Sequence, residues 1–193
     1  MTRRFTPEGI LALVTLVSVA FFRTEPSHNE WAHWAPAVSW LRSGSWAIDA
    51  WADRETIDWS EYGGHRYSNK APGLSMLAVP VLAALPDDPK RAFPVANLLL
   101  NGLPAVAMAV ALFRVARSLV PDDRVAFVTA GAGALATMSL PFATAFYQHQ
   151  PVASACAERV TSRSLVIAAP ERTPSGTRTR FPNVAPPSSL RRK

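Results

Sequence analysis

The sequence predicts an all-α fold of membrane type: a polytopic chain with about three transmembrane helices, an outer loop of juxtamembrane helices and a disordered C-terminal tail. Three observations lead there. Apolar residues collect in blocks at 9–22, 71–85, 92–113 and 125–147, rich in Ala, Leu and Val and without the periodic polar positions of a soluble amphipathic helix. All six tryptophans fall between Trp31 and Trp59, in the polar stretch that follows the first block. Charge is segregated as well. Residues 1–153 hold twelve Lys/Arg and twelve Asp/Glu, so the net +6 comes wholly from the eight basic and two acidic side chains of 154–193. Basicity confined to a tail removes the reading of a nucleic-acid-binding body. The single cysteine, Cys156, excludes an internal disulfide.

The first span is placed at about 5–22, where "GILALVTLVSVAFF" follows Arg3 and Arg4 and Phe5 and Thr6 extend it. A cleaved signal peptide ending at Ser18-Val19-Ala20 is the alternative, disfavoured by the apolar blocks that follow. A helix over 29–42 puts Trp31, Trp34, Val38 and Leu41 on one face. Ser27-His28-Asn29-Glu30 has the form of a capping box that opens it, and Ser43-Gly44 closes it. Tryptophans on such a helix suit a membrane–water boundary, with a soluble loop domain as the alternative reading.

Block 71–85 carries Pro72 and Pro80 and is too short to cross, which suits an interfacial or re-entrant segment. Residues 92–113 are long enough to cross, with Pro104 a tolerated kink, and 125–147 cross again. If 71–85 does not cross, Arg3 and Arg4 share a side with Arg114, Arg117 and Arg124, as the positive-inside rule prefers, and 23–91 face outward. The region 1–153 is thus read as one membrane unit. Residues 154–193, rich in Arg, Pro, Ser and Thr, are read as a disordered basic tail. Three spans would put that tail outside against the charge rule, so a truncation or shifted reading frame after about residue 153 is expected.

The order of these pieces carries a resemblance. A first span is followed by "SHNEWAHWAPAVSWLRSGSWAID", then "GGHRYSNKAPG", then an apolar run. Over about residues 5–153 this resembles the N-terminal part of bacterial membrane glycosyltransferases of the C-type superfamily, among them protein O-mannosyltransferases and aminoarabinose transferases. Those enzymes have an acidic pair after the first span and a G-x-x-Y-x-x-K-x-P segment closing the first outer loop. Asn29-Glu30 stands at the first position here, and Gly64 to Pro72 at the second.

The resemblance implies an inner-membrane, multi-pass protein that transfers a sugar from a polyprenyl-phosphate donor to an acceptor on the outer side. It implies Glu30 as the base, with Asp49 the next carboxylate because Asn29 cannot take a proton. Lys70 and Arg66 supply cations for the phosphate, with Tyr67 beside them, and His149 faces the same cavity from the second outer loop. Glu30 has a purely structural alternative as the capping residue, and His149 as a solvated interfacial histidine. The expected partners are the lipid-linked donor and the bilayer, with no nucleic acid.

Histidines at 28, 33, 65 and 149 lack metal-ligand spacing, so no protein-only metal site and no cofactor are expected, a divalent ion shared with donor phosphate remaining open. The alternative from another class is a non-catalytic integral membrane protein or assembly subunit, since three spans do not enclose a full lipid–sugar groove.

Overall fold

The structure, a computed structural model, describes residues 6–20, 26–51, 53 and 58–168, with side chains described as far as 162. The described chain is mostly helical. Helix α1 (Pro7–Val19) opens with Thr6, whose hydroxyl accepts the Gly9 N–H at 3.1 Å, and with Pro7, whose missing donor costs nothing in a first turn. Helix α2 (His28–Ser43) starts at the expected capping box, where the Glu30 carboxylate accepts the Ser27 N–H at 2.7 Å. It stops at Gly44, whose φ of 68° is the left-handed conformation that glycine adopts without strain.

A short hairpin follows, an addition to the all-α expectation. Strands β1 (Trp59–Tyr62) and β2 (His65–Ser68) pair antiparallel around Gly63-Gly64, with φ of 60° and 81°. Two left-handed residues in a two-residue loop match the twist of a hairpin, and only glycine takes both positions cheaply. Helix α3 (Gly73–Ala83) is a short apolar helix inside the predicted 71–85 segment.

Helix α4 (Pro89–Asn97) passes through a wide π turn, Leu98–Gly102, into α5 (Leu103–Leu119). The Leu103 N–H bonds the Leu98 carbonyl, one residue further back than in an α-helix. Pro104 accounts for the widening: its ring would collide with the Leu100 carbonyl in regular α geometry. The continuous stretch Pro89–Leu119 is the one helix among the described residues that is long and apolar enough to cross a membrane.

Two expectations need correction. Residues 125–147 are not one helix. Helix α6 (Asp123–Leu135) ends at a turn, and α7 (Ser139–Ala143) is only a short restart. Thr137 makes the break, donating its hydroxyl to the Gly133 carbonyl at 2.8 Å and accepting the Ser139 N–H at 3.2 Å. Pro141 could not have donated to Thr137 in a continuous helix. Thirteen residues of α6 reach about 20 Å, short of a bilayer core.

Second, residues 154–168 are not disordered: α8 (His149–Ala168) runs through them. Its buried positions, Gln150, Ser154 and Thr161, recur at helical spacing but are small or polar. Ser154 donates to the Pro104 carbonyl at 2.7 Å and Thr161 to the Ala111 carbonyl at 3.3 Å. Both chains advance by seven residues between these contacts, so α8 lies parallel to α5 and returns toward the end that carries Arg114 and Arg117. The rest of the predicted tail, 169–193, lies outside the described residues.

The elements form a head and a bundle. In the head, α2, α3, α4 and Phe146 enclose Trp31, Trp34, Ile48, Leu74, Leu82 and Phe93. Trp34 lies edge-on to Phe93 and Phe146, with centroids 5.4 and 5.6 Å away. The two tryptophans expected at a membrane boundary are therefore core residues, and Leu41, expected on the same face, is exposed. In the bundle, α5 is central and packs against α1, α6 and α8. Its interior holds Leu11, Ala109, Phe113, Ala126, Ala130 and Ala134. Arg114 reaches Glu8 at 3.4 Å and Arg117 reaches Asp123 at 2.8 Å, which closes the far end.

Candidate functional site

The predicted site residues fall into two groups, joined by the hairpin. Glu30 is fully buried in the first turn of α2. One oxygen accepts the Ser27 N–H and the other the Phe146 N–H, at 2.7 and 2.9 Å. The carboxylate thereby ties the start of α2 to the chain entering α8. The structural role that the capping box suggested is present, extended by a long-range bond that the sequence did not announce.

Three residues on from Glu30, on the same side of α2, lies His33, which is 2% exposed. Its carbonyl accepts the Ser75 hydroxyl of α3 at 2.7 Å, and its ring lies edge-on to Tyr147 at 6.3 Å. Its Nδ1 is buried with no hydrogen-bond partner among the described residues. Burial lowers its pKa from 6.5 to about 4, helped by the positive charges of Lys70 and His149 and opposed by Asp58 and Glu30. His149, exposed at the start of α8, packs its ring 4.6 Å from Phe142.

Lys70 is held rather than free. Its ammonium lies 2.9 Å from Asp58, with side chains 28% and 19% exposed, and its own N–H donates to the Ser68 hydroxyl at 3.2 Å. Asp58 escaped the sequence reading, yet the hairpin register contains it. With Gly63-Gly64 at the tip, residue 58 falls opposite 69, and the Asn69 N–H does bond the Asp58 carbonyl at 3.0 Å. Lys70, Tyr67, Trp46, Pro36, Pro72 and Ser75 line a cavity of about 90 Å³ ahead of α3.

The second group lies near the other end of α2. Asp49 accepts the Arg66 N–H at 2.8 Å and bonds His65 Nδ1 at 2.8 Å, while the Ile48 N–H donates to the Arg66 carbonyl at 2.7 Å. The Arg66 N–H first, and then the His65 hydrogen bond, hold the Asp49 carboxyl below its usual range. Asp49 thus latches segment 47–49 onto β2. The Arg66 guanidinium lies over the Trp59 ring at 4.5 Å.

The structure brings Glu30, Lys70 and His149 around His33, with Asp58 and Tyr147. It does not bring the two predicted carboxylates together. Asp49 lines a groove with Arg42 and Ser43 at the end of α2, about 18 Å along the helix from Glu30. Among the described residues, no three His, Cys, Asp or Glu side chains are grouped to hold a metal ion. Compared with protein-family models, curated proteins and solved structures, the chain matches none.

Proposed function

We propose that the chain is a membrane glycosyltransferase-like protein that engages a polyprenyl-phosphate-linked sugar at the outer side of the inner membrane, with Lys70 as the phosphate cation. The observation that carries this reading is the placement of Lys70. It stands three residues before α3, lining a small cavity, with its charge kept in place by one carboxylate. The start of a helix also favours an anion. A phosphate entering there competes with Asp58 for the ammonium and gains a fixed partner.

A multi-pass bilayer setting is part of the proposal, and the outer surface of the bundle supports it. Leu13, Val17, Val128 and Val160 are each more than half exposed on α1, α6 and α8. An apolar exterior, with alanines at the α5–α6 contact beside Leu11 and Phe113, is an arrangement that helices meeting lipid can adopt. Cysteines placed at Ser43 and Asp88, in a Cys156→Ser background, should both react with an impermeant thiol reagent on intact cells. Protection at 88 alone would sink the proposed topology.

The proposed activity is transfer of the sugar to an acceptor hydroxyl. A second reading, donor binding without transfer, is favoured by Glu30, whose two oxygens both accept backbone N–H groups. One experiment addresses both: binding and turnover of a short-chain polyprenyl-phosphate hexose by the detergent-solubilised protein. Lys70→Ala should weaken binding by more than tenfold, since a charged hydrogen bond is worth about 1.5–3 kcal/mol, and Lys70→Arg should restore part of it. Asp58→Asn, which releases the ammonium, should preserve binding. Arg91→Ala is the remote control. Binding unchanged in Lys70→Ala refutes the phosphate role, and binding without turnover selects the second reading.

A further inference from the structure

His33 has no part in the function proposed above, yet it is the most unusual polar group in the head. Its ring is buried, its Nδ1 lacks a partner, and it stands among charges from several elements. Glu30 acts from its own helix, Lys70 and Asp58 from the flanks of the hairpin, and His149 from the entrance to α8, where the Tyr147 ring also lies edge-on to His33 at 6.3 Å. A buried polar nitrogen without a bond is costly to maintain, and with no fixed hydrogen bond its protonation answers to burial and the surrounding charges.

We infer that His33 takes up a proton when a phosphodiester engages Lys70, so that donor binding is coupled to pH. This rests on the reading of Lys70 as the phosphate cation. Without ligand, burial and the Lys70 charge keep the imidazole neutral, as its lowered pKa of about 4 reflects. A phosphodiester at Lys70 brings one negative charge that does not itself titrate near neutrality. Held in the cavity that Lys70 shares with Ser75, it offsets the Lys70 charge while burial still opposes protonation, so the pKa of the ring rises and the imidazolium gains weight on the acid side of neutrality. The Ser75–His33 hydrogen bond fixes this turn of α2 against the first turn of α3, so the ring does not escape the new charge by moving.

Linkage sets the sign. A group whose pKa rises on binding makes the complex tighter as pH falls. A rise of roughly one and a half units from about 4 tightens binding about fourfold between pH ~7 and pH ~5. The test is calorimetry of a short-chain prenyl-phosphate glucose, a phosphodiester, binding to the whole protein in detergent. Buffers of different ionisation heat report the protons exchanged.

The wild type should take up a net fraction of a proton at pH ~5, and His33→Gln should bind without uptake. Imidazole resonances of the wild type, followed through pH with and without the probe, give the answer without a variant: the His33 titration must move up. Binding with no uptake, or uptake that survives His33→Gln, overturns the inference and leaves the Lys70 reading intact. Absence of binding overturns both.

Discussion

In the head the bulky rings go inward, with Trp34, Phe93 and Phe146 at most 1% exposed. In the bundle, α6 buries Ala126, Ala130 and Ala134 while Val128 between them is 68% exposed. The two regions share a continuous helix, so the contrast does not come from separate chains or separate domains. Under the proposed bilayer setting it follows from what each surface meets. Burying large apolar groups stabilises a region whose surroundings are water. Where the surroundings are themselves apolar that gain vanishes, and close helix contact through small residues takes over, with hydroxyl–carbonyl bonds such as Ser154 to Pro104. The head is thus packed largely through rings, while the bundle buries small residues beside Leu11 and Phe113, an arrangement that agrees with the bilayer setting proposed for it.

The largest expected effect tests the head. Trp34→Ala removes a fully buried ring that meets two others, and should cost about 3–5 kcal/mol in thermal unfolding of the detergent-solubilised protein. A loss below about 1 kcal/mol would break the contrast, because the head would then not depend on its aromatic core.

Next in size is a charge on the outside of the bundle. Val128→Asp should impair membrane insertion by about 2.5–3.5 kcal/mol if lipid surrounds α6, and by less than about 0.5 kcal/mol if water does. The insertion yield of the variant, compared with Val128→Leu, separates the two.

Acid sharpens the comparison from a third side, because the buried titratable groups lie in the head. His33 has a folded pKa of about 4 against an ordinary 6.5, so between these values the unfolded chain holds more protons. Stability conferred by the neutral ring is complete above pH 6.5 and is lost as pH falls toward about 4, at most about 3 kcal/mol. His33→Gln should flatten that slope. Asp49 acts in a lower window. Its depressed carboxyl contributes above its ordinary pKa of 3.8 and loses that contribution only as pH falls below it. The smallest effect belongs to the bundle: if it lies in a bilayer, as proposed, Ser154→Ala should cost about 0.6 kcal/mol, the usual worth of an interhelical hydroxyl bond there.

The same contrast explains what could be read from the sequence. Elements of the head carry local punctuation, and α2 was legible to within a residue from Ser27, Glu30 and Gly44. The short apolar segment after Pro72 was equally plain. Bundle elements carry less. Apolar content alone did not reveal the break at Thr137, because a hydroxyl satisfying backbone groups leaves no trace in hydropathy. Helix α8 was missed for the converse reason: its packing face is Gln150, Ser154 and Thr161, which reads as polar composition and not as a core stripe.

Of the candidate residues, Glu30, Lys70 and His149 all act electrostatically on His33, which was not picked out, and neither was Asp58, the partner of Lys70. Asp58 was recoverable from the hairpin register. His33 was not, since its significance lies in burial and in charges distant along the chain.

The wide turn at Leu98–Gly102 has a consequence for how the chain tolerates change in length. A π turn holds about one residue more than α geometry needs between the same two ends. Removing one residue elsewhere in Pro89–Leu119 would rotate everything downstream by about 100° and swing the inward-facing side of α5 out of its packing. Removing Leu99 instead takes out the surplus. The flanking segments keep their phase, although Pro104 then presses on the carbonyl four positions before it. The junction between the two regions is thus the place where this helix can absorb a single-codon deletion. Insertion yield across a scan of one-residue deletions should peak there.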